Sequence, residues 1–169
     1  AFASGWASGI NAWGTVLVLG ILGRFANVPD IPAGFQRTDV LIAMGVLCLI
    51  EVVADKIPYL DSAWDTVSTV VRPIAGAVIG AVYAGSSGDL VTLALASVGG
   101  LTALASHLTK AGLRLAINTS PEPFTNVAAS SAGDVAVTGI ATLVALAPVA
   151  AAIIAAVLLI LGAIGVAVA

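Results

Sequence analysis

From Val135 to Ala169 the chain runs without a single charged side chain, and that stretch most limits what it can fold into. As one straight helix it would measure about 52 Å at 1.5 Å per residue, against roughly 30 Å of bilayer hydrocarbon. It must therefore tilt strongly, kink at Pro148, or fold back there as a hairpin. A soluble domain cannot hide such surface. Only 9% of the residues are charged, 60% are hydrophobic and mean hydropathy is +1.12, whereas globular chains carry about 25% charge. The chain reads as an all-α polytopic transmembrane helix bundle, a single domain over 1–169, with about five or six spans. A net charge of −3 and six scattered Lys and Arg exclude a nucleic-acid footprint. The lone Cys48 has no partner for an intramolecular disulfide, and residues 2–23 lack the basic start of a cleavable signal peptide.

Trp6 to Arg24 forms the first predicted span, rich in glycine, with Trp6 and Trp13 as interface anchors. Phe25 to Arg37 is a loop marked by Pro29, Asp30, Pro32 and Gly34. Thr38 or Asp39 caps a second helix that runs to about Ala54 and ends near Pro58. Asp61 starts a third helix, kinked at Pro73. After a turn at 83–89, a fourth helix covers about Leu90 to Ile117. Pro121 and Pro123 interrupt the chain beyond it, and Ser131-Ala-Gly-Asp134 has the capping-box spacing to restart a helix. Segments 55–65 and 118–130 are thus expected to hold short helices at most. Arg24 and Arg37 flanking the first loop mildly favour a cytoplasmic loop and an N-terminus on the opposite side.

The few charges gather in two clusters. Glu51 and Asp55 lie four apart on one helix face, followed by Lys56, with Asp61 and Asp65 beyond. His107, Lys110 and Arg114 form a second stripe at i, i+3 and i+7, and Asn118 continues it. Arg72, directly before Pro73, is a further charge inside an apolar segment. An ionised group at membrane depth costs several kcal/mol, so these groups must pair or line a polar cavity. The structural reading is an ion-pair lattice at the membrane rim. The functional reading is a cavity that recognises an anionic group, because prolines beside the clusters mark broken helices. One imidazole without ligand spacing implies no metal site, and no cofactor is indicated. Ser120, His107 and Asp134 could be drawn as a triad, but no nucleophile elbow supports it. Gly5/Gly9 and Gly76/Gly80 are small-xxx-small pairs for close helix packing, within the chain or against a partner or second copy. A loose parallel between Arg24…Pro29 and Arg114…Pro121 suggests an internal repeat.

At Glu51-x-x-x-Asp55-Lys56-Ile57-Pro58-x-x-Asp61-x-x-Trp64-Asp65, then Arg72-Pro73-x-x-Gly76, the chain resembles a bacterial membrane family known as domain of unknown function 4126. The resemblance continues through His107-x-x-Lys110-Ala-Gly-x-Arg114, Asn118-x-Ser120-Pro121 and Thr125-Asn126. It covers roughly residues 5 to 140. Gly133-Asp134 departs from it, since an acidic pair is expected there and Asp134 stands alone. The resemblance implies a bacterial cytoplasmic-membrane address and a shared set of polar positions, with no activity attached.

Together these readings point to a small, non-enzymatic transporter- or channel-like protein. Its polar cavity would bind an anionic solute or lipid head group, with membrane lipids as surroundings. The alternative is an accessory or scaffold subunit of a membrane complex.

Overall fold

A computed structural model describes residues 1–57, 59–119 and 123–168 of the chain. Among these residues all regular structure is helical: α1 (Phe2–Ile10), α2 (Ala12–Phe25), a 3-10 turn (Ala33–Gln36), α3 (Thr38–Ala54), α4 (Leu60–Ala84), α5 (Asp89–Asn118), α6 (Pro123–Leu146) and α7 (Pro148–Val168). Among the described residues four helices, α4 to α7, are long and apolar enough to cross a bilayer, against the five or six spans expected. Helix α3 has 17 residues, about 26 Å, and carries Glu51 near its end.

The expected first span is not one helix. It breaks at Asn11, whose backbone is extended (φ −151°, ψ 101°) and whose side chain accepts from the Gly14 N–H at 2.7 Å. That bond satisfies one orphan donor at the start of α2. Helix α1 advances along α5, with Gly5 facing Gly99 and Gly9 facing Ala103 and Ser106. Helix α2 turns back, with Gly14 near Cys48 and Gly20 near Leu41, antiparallel to α3. The pair is a re-entrant hairpin that returns to the end of the bundle it came from. Ala1 and the 29–32 loop accordingly line one cavity with Tyr83 and Pro148. The expectation of an N-terminus opposite the first loop is overturned for this reason. Trp6 is buried in the core rather than anchored at an interface.

Bare glycine backbone makes this packing achievable. A Cβ on Gly5 or on Gly76 would stand 2.6 Å from the Gly99 carbonyl oxygen. Both small-xxx-small pairs are therefore used inside the protomer, α1 and α4 closing on the same face of α5. Proline 73 stays within α4. The apolar tail folds as a hairpin at Ala147: Ala136 and Leu158, on either side of it, line the same cleft. Other expectations are corrected too. Helix α4 begins at Leu60 and α6 runs unbroken through Ser131 and Asp134, so no helix restarts there. Residues 124–130 contain no breaker, and a helix already under way has no use for a cap. Arg37 takes the N-cap position of α3 without a side-chain bond, while Asp39, inside the first turn, accepts from the Val40 N–H at 3.0 Å through its Oδ1. Pro58, Ser120 and Pro121 lie outside the described residues. The suggested repeat joins unlike places: Arg24 is exposed and bonded to Thr38, whereas Arg114 is buried among carboxylates.

A buried charge network at the tip of a re-entrant hairpin

The end of α3, the first half of α4 and the second half of α5 meet on one side of the bundle, opposite the 29–32 loop. Their antiparallel packing, fixed by the glycine contacts, stacks acidic and basic positions in register. From Asp61 to Arg72 the network follows α4 inward for about 17 Å, half the thickness of the hydrocarbon.

Arg72 is the inner hub and is 1% exposed. Its Nη2 donates to Glu51 Oε1 at 2.6 Å, and its Nη1 lies 3.3 Å from Asp65 Oδ1. The same Nη1 donates to the Gly9 carbonyl at 3.2 Å and to His107 Nδ1 at 2.7 Å. Since arginine can only donate, His107 is neutral here and carries its proton on Nε2, which donates to Thr69 Oγ1 at 2.9 Å. Lys110 donates to Asp55 Oδ2 at 2.5 Å and to the Ile10 carbonyl at 3.0 Å. Both carbonyls belong to the last turn of α1, where the helix dipole presents its negative end. The hairpin tip thus meets the cations at mid-bundle, where irregular backbone survives only when protein or a cavity covers it.

Arg114 gathers the outer half. It reaches Asp55 at 3.1 Å, Asp65 at 3.0 Å and Asp61 at 3.4 Å. Asp61, fully buried, also accepts from Asn126 at 3.2 Å and stands at the limit of bonding from Asn118. Lys56 stands apart: it pairs with Asp134 at 3.0 Å and reaches Ser130, both side chains of the ion pair being partly exposed.

The predicted acidic and basic faces therefore meet, though Glu51 pairs with Arg72 at 2.6 Å while Lys110 is 3.9 Å away. His107 and Asp134 have separate partners, so the paper triad has no geometry. Sequence reading missed Asn11, Thr69 and the α1 carbonyls. The signal for Asn11 was a lone amide between Gly9 and Gly14 in an apolar run.

Two cavities flank Arg114. A cleft of about 230 Å³ lies between α1, α5, α6 and α7, walled by apolar side chains with Lys110, Arg114 and Ser130 among them. A cavity of about 200 Å³ between α4 and α5 is lined by Ser62, Asp65, Thr66, Thr69 and Arg114 together with the apolar Ala111 and Leu115. Among the described residues, Asp65 Oδ1 and Arg72 Nε are buried without a hydrogen-bond partner.

No curated protein and no solved structure matches the chain. A match over residues 1–167 is found to the family described as Domain of unknown function (DUF4126). With nearly the whole chain covered, this protein, whose helices α4 to α7 are long and apolar enough to cross a membrane, belongs to the DUF4126 family.

Proposed function

We propose that this is a small, non-enzymatic transporter- or channel-like protein of the bacterial cytoplasmic membrane that binds an anionic solute or lipid head group beside Lys110 and Arg114. The observation that carries the reading is the meeting of a broken, re-entrant helix pair with a buried charge network at mid-bundle. Half-helices whose ends point at ionic groups are a design suited to solute sites. The cleft supports the choice of ligand: its apolar walls suit an alkyl chain, and its two cationic side chains suit an anionic end.

Trp6 lines this cleft and supplies the assay. In a variant with Trp13 and Trp64 replaced by Phe, a brominated alkyl sulfonate should quench Trp6 fluorescence saturably, and the matching brominated alcohol should bind more weakly. Lys110→Met should erase the difference between the two probes. Equal quenching by both probes in the unaltered cleft refutes an anionic ligand.

The second reading, an accessory subunit whose charges are structural, draws on one observation: protein carboxylates already occupy all three buried cations. With both glycine faces used internally, a partner or second copy would have to dock elsewhere. A stoichiometric membrane partner on gentle extraction, with no quenching by either probe, favours it.

A further inference from the structure

The network does not balance. Among the described residues it holds four carboxylates (Glu51, Asp55, Asp61, Asp65) and three cations (Arg72, Lys110, Arg114), while the nearby Lys56–Asp134 pair is neutral. One negative charge is left over in an environment that disfavours uncompensated charge. His107 does not supply the missing positive charge, because its Nδ1 accepts from Arg72 and a second proton there would face a guanidinium. A proton taken up to offset it has only the carboxylates to go to.

Asp65 is set apart from the other three. It is 5% exposed, yet its Oδ1 accepts no hydrogen bond. It lines the cavity between α4 and α5, with the hydroxyl-bearing Ser62, Thr66 and Thr69 beside it. It also bridges the two arginines, Arg72 at 3.3 Å and Arg114 at 3.0 Å. Arg114 in turn walls both cavities, so it stands between Asp65 and the cleft.

We propose that Asp65 is a proton-binding site that couples proton uptake through the cavity between α4 and α5 to binding of an anionic group at Arg114 in the cleft. The step is a proton transfer from a hydronium ion in the cavity to the Asp65 carboxylate: one O–H bond of the hydronium breaks, one forms on the carboxyl, and a neutral water is left. Protonation removes one of the three carboxylates that hold Arg114, leaving Asp55 and Asp61, and the guanidinium gains free donors to offer across the cleft. The charges agree. One proton and one monoanion together leave the network at the same net charge as when empty. The groups facing Asp65 are Asp61 and Arg72 on α4, His107, Lys110 and Arg114 on α5, and Glu51 and Asp55 at the end of α3. Of these the cations are already ion-paired, His107 Nδ1 is taken by Arg72, and of the four carboxylates Asp65 is the one with a buried oxygen, Oδ1, that accepts no hydrogen bond.

This inference rests on the anion-binding reading, and the experiment separates the two. Binding of the alkyl sulfonate, which does not itself titrate, is measured by Trp6 quenching across pH, and by calorimetry in buffers of different ionisation enthalpy. With one proton taken up per anion, the affinity falls about tenfold for each pH unit over the range in which that uptake is coupled to binding. Anion binding with no proton uptake overturns the coupling while leaving the anion site standing. Sodium replacing the proton, so that affinity follows sodium and ignores pH, also overturns it. In Asp65→Asn the affinity should become flat with pH. Should that variant fail to fold, the proton count in the unaltered protein still decides. If no anion binds, the anion site and its coupling both fall, and infrared difference spectra of the ligand-free protein test the proton alone. A protonated-carboxyl band that titrates and is lost in Asp65→Asn upholds the proton site, and its absence refutes it.

Discussion

Replacing Arg72 by Met should be far more damaging than removing its closest partner. Arg72 is buried and meets two carboxylates, the Gly9 carbonyl and His107. Its loss leaves four carboxylates against two cations, so an unpaired buried charge grows worse. Breaking such a pair from one side costs roughly 3–5 kcal/mol, which lowers the melting temperature by roughly 10 °C at 2–4 °C per kcal/mol for a chain of this length. Glu51→Gln acts in the opposite direction on the charge count, giving three carboxylates against three cations. It keeps an acceptor for Arg72 and forfeits only charge assistance, about 1–2 kcal/mol. The double variant Glu51→Gln, Arg72→Met should cost less than the sum of the singles, with a coupling of about 0.5–3 kcal/mol. Coupling between Glu51 and Lys110, 3.9 Å apart, should be smaller. Tryptophan-detected melting in detergent measures the unaltered protein and each variant. A Glu51→Gln cost equal to that of Arg72→Met would refute the excess of negative charge, and strict additivity would refute the pairing.

Gly76→Val should destabilise by at least about 1–3 kcal/mol, because its Cβ meets the Gly99 carbonyl, whereas Gly45→Ala, with open space around it, should be near neutral in the same melts. Asn11→Ala removes the cap on Gly14 and should cost about 1 kcal/mol, with faster amide exchange confined to the first turn of α2. Unchanged exchange there would remove the capping role. Asp134→Asn should cost less than about 1 kcal/mol and lose even that in high salt, since its pair with Lys56 is partly exposed; a large, salt-independent loss would place that pair in the core network.

How far the sequence could be read depended on the range of the interaction. Helices α3, α4 and α5 were legible to within a few residues, because apolar length and local stop signals define them. The facing of Asp55 by Lys110 and Arg114 was legible too, since unpaired charge in lipid has few alternatives. The hub was not. Arg72 lies on α4, and its choice of Glu51 depends on how closely α4 and α5 approach through Gly76 and Gly99, a tertiary quantity. The re-entrant turn was missed because residues 6–24 have the length and apolarity of a span, and only Asn11 between two glycines marks the break. The capping-box pattern at Ser131 misled for the opposite reason: a local motif gives no signal when a helix already runs through it.

The hairpin of α1 and α2 carries a consequence for how the chain is built. Residues 2–25, laid out straight, are about 36 Å long and apolar throughout most of their length, so a ribosome-bound insertion machine meets them as one ordinary crossing segment. The bonds that hold the bend come much later: Arg72 follows its Gly9 acceptor by 63 positions, and Lys110 and Ser106 follow theirs by 100. Until α4 and α5 have been synthesised, nothing exists to receive the end of α1. Helix α1 therefore reaches its final place only after α4 and α5 have been made, and the order of assembly departs from the order of translation.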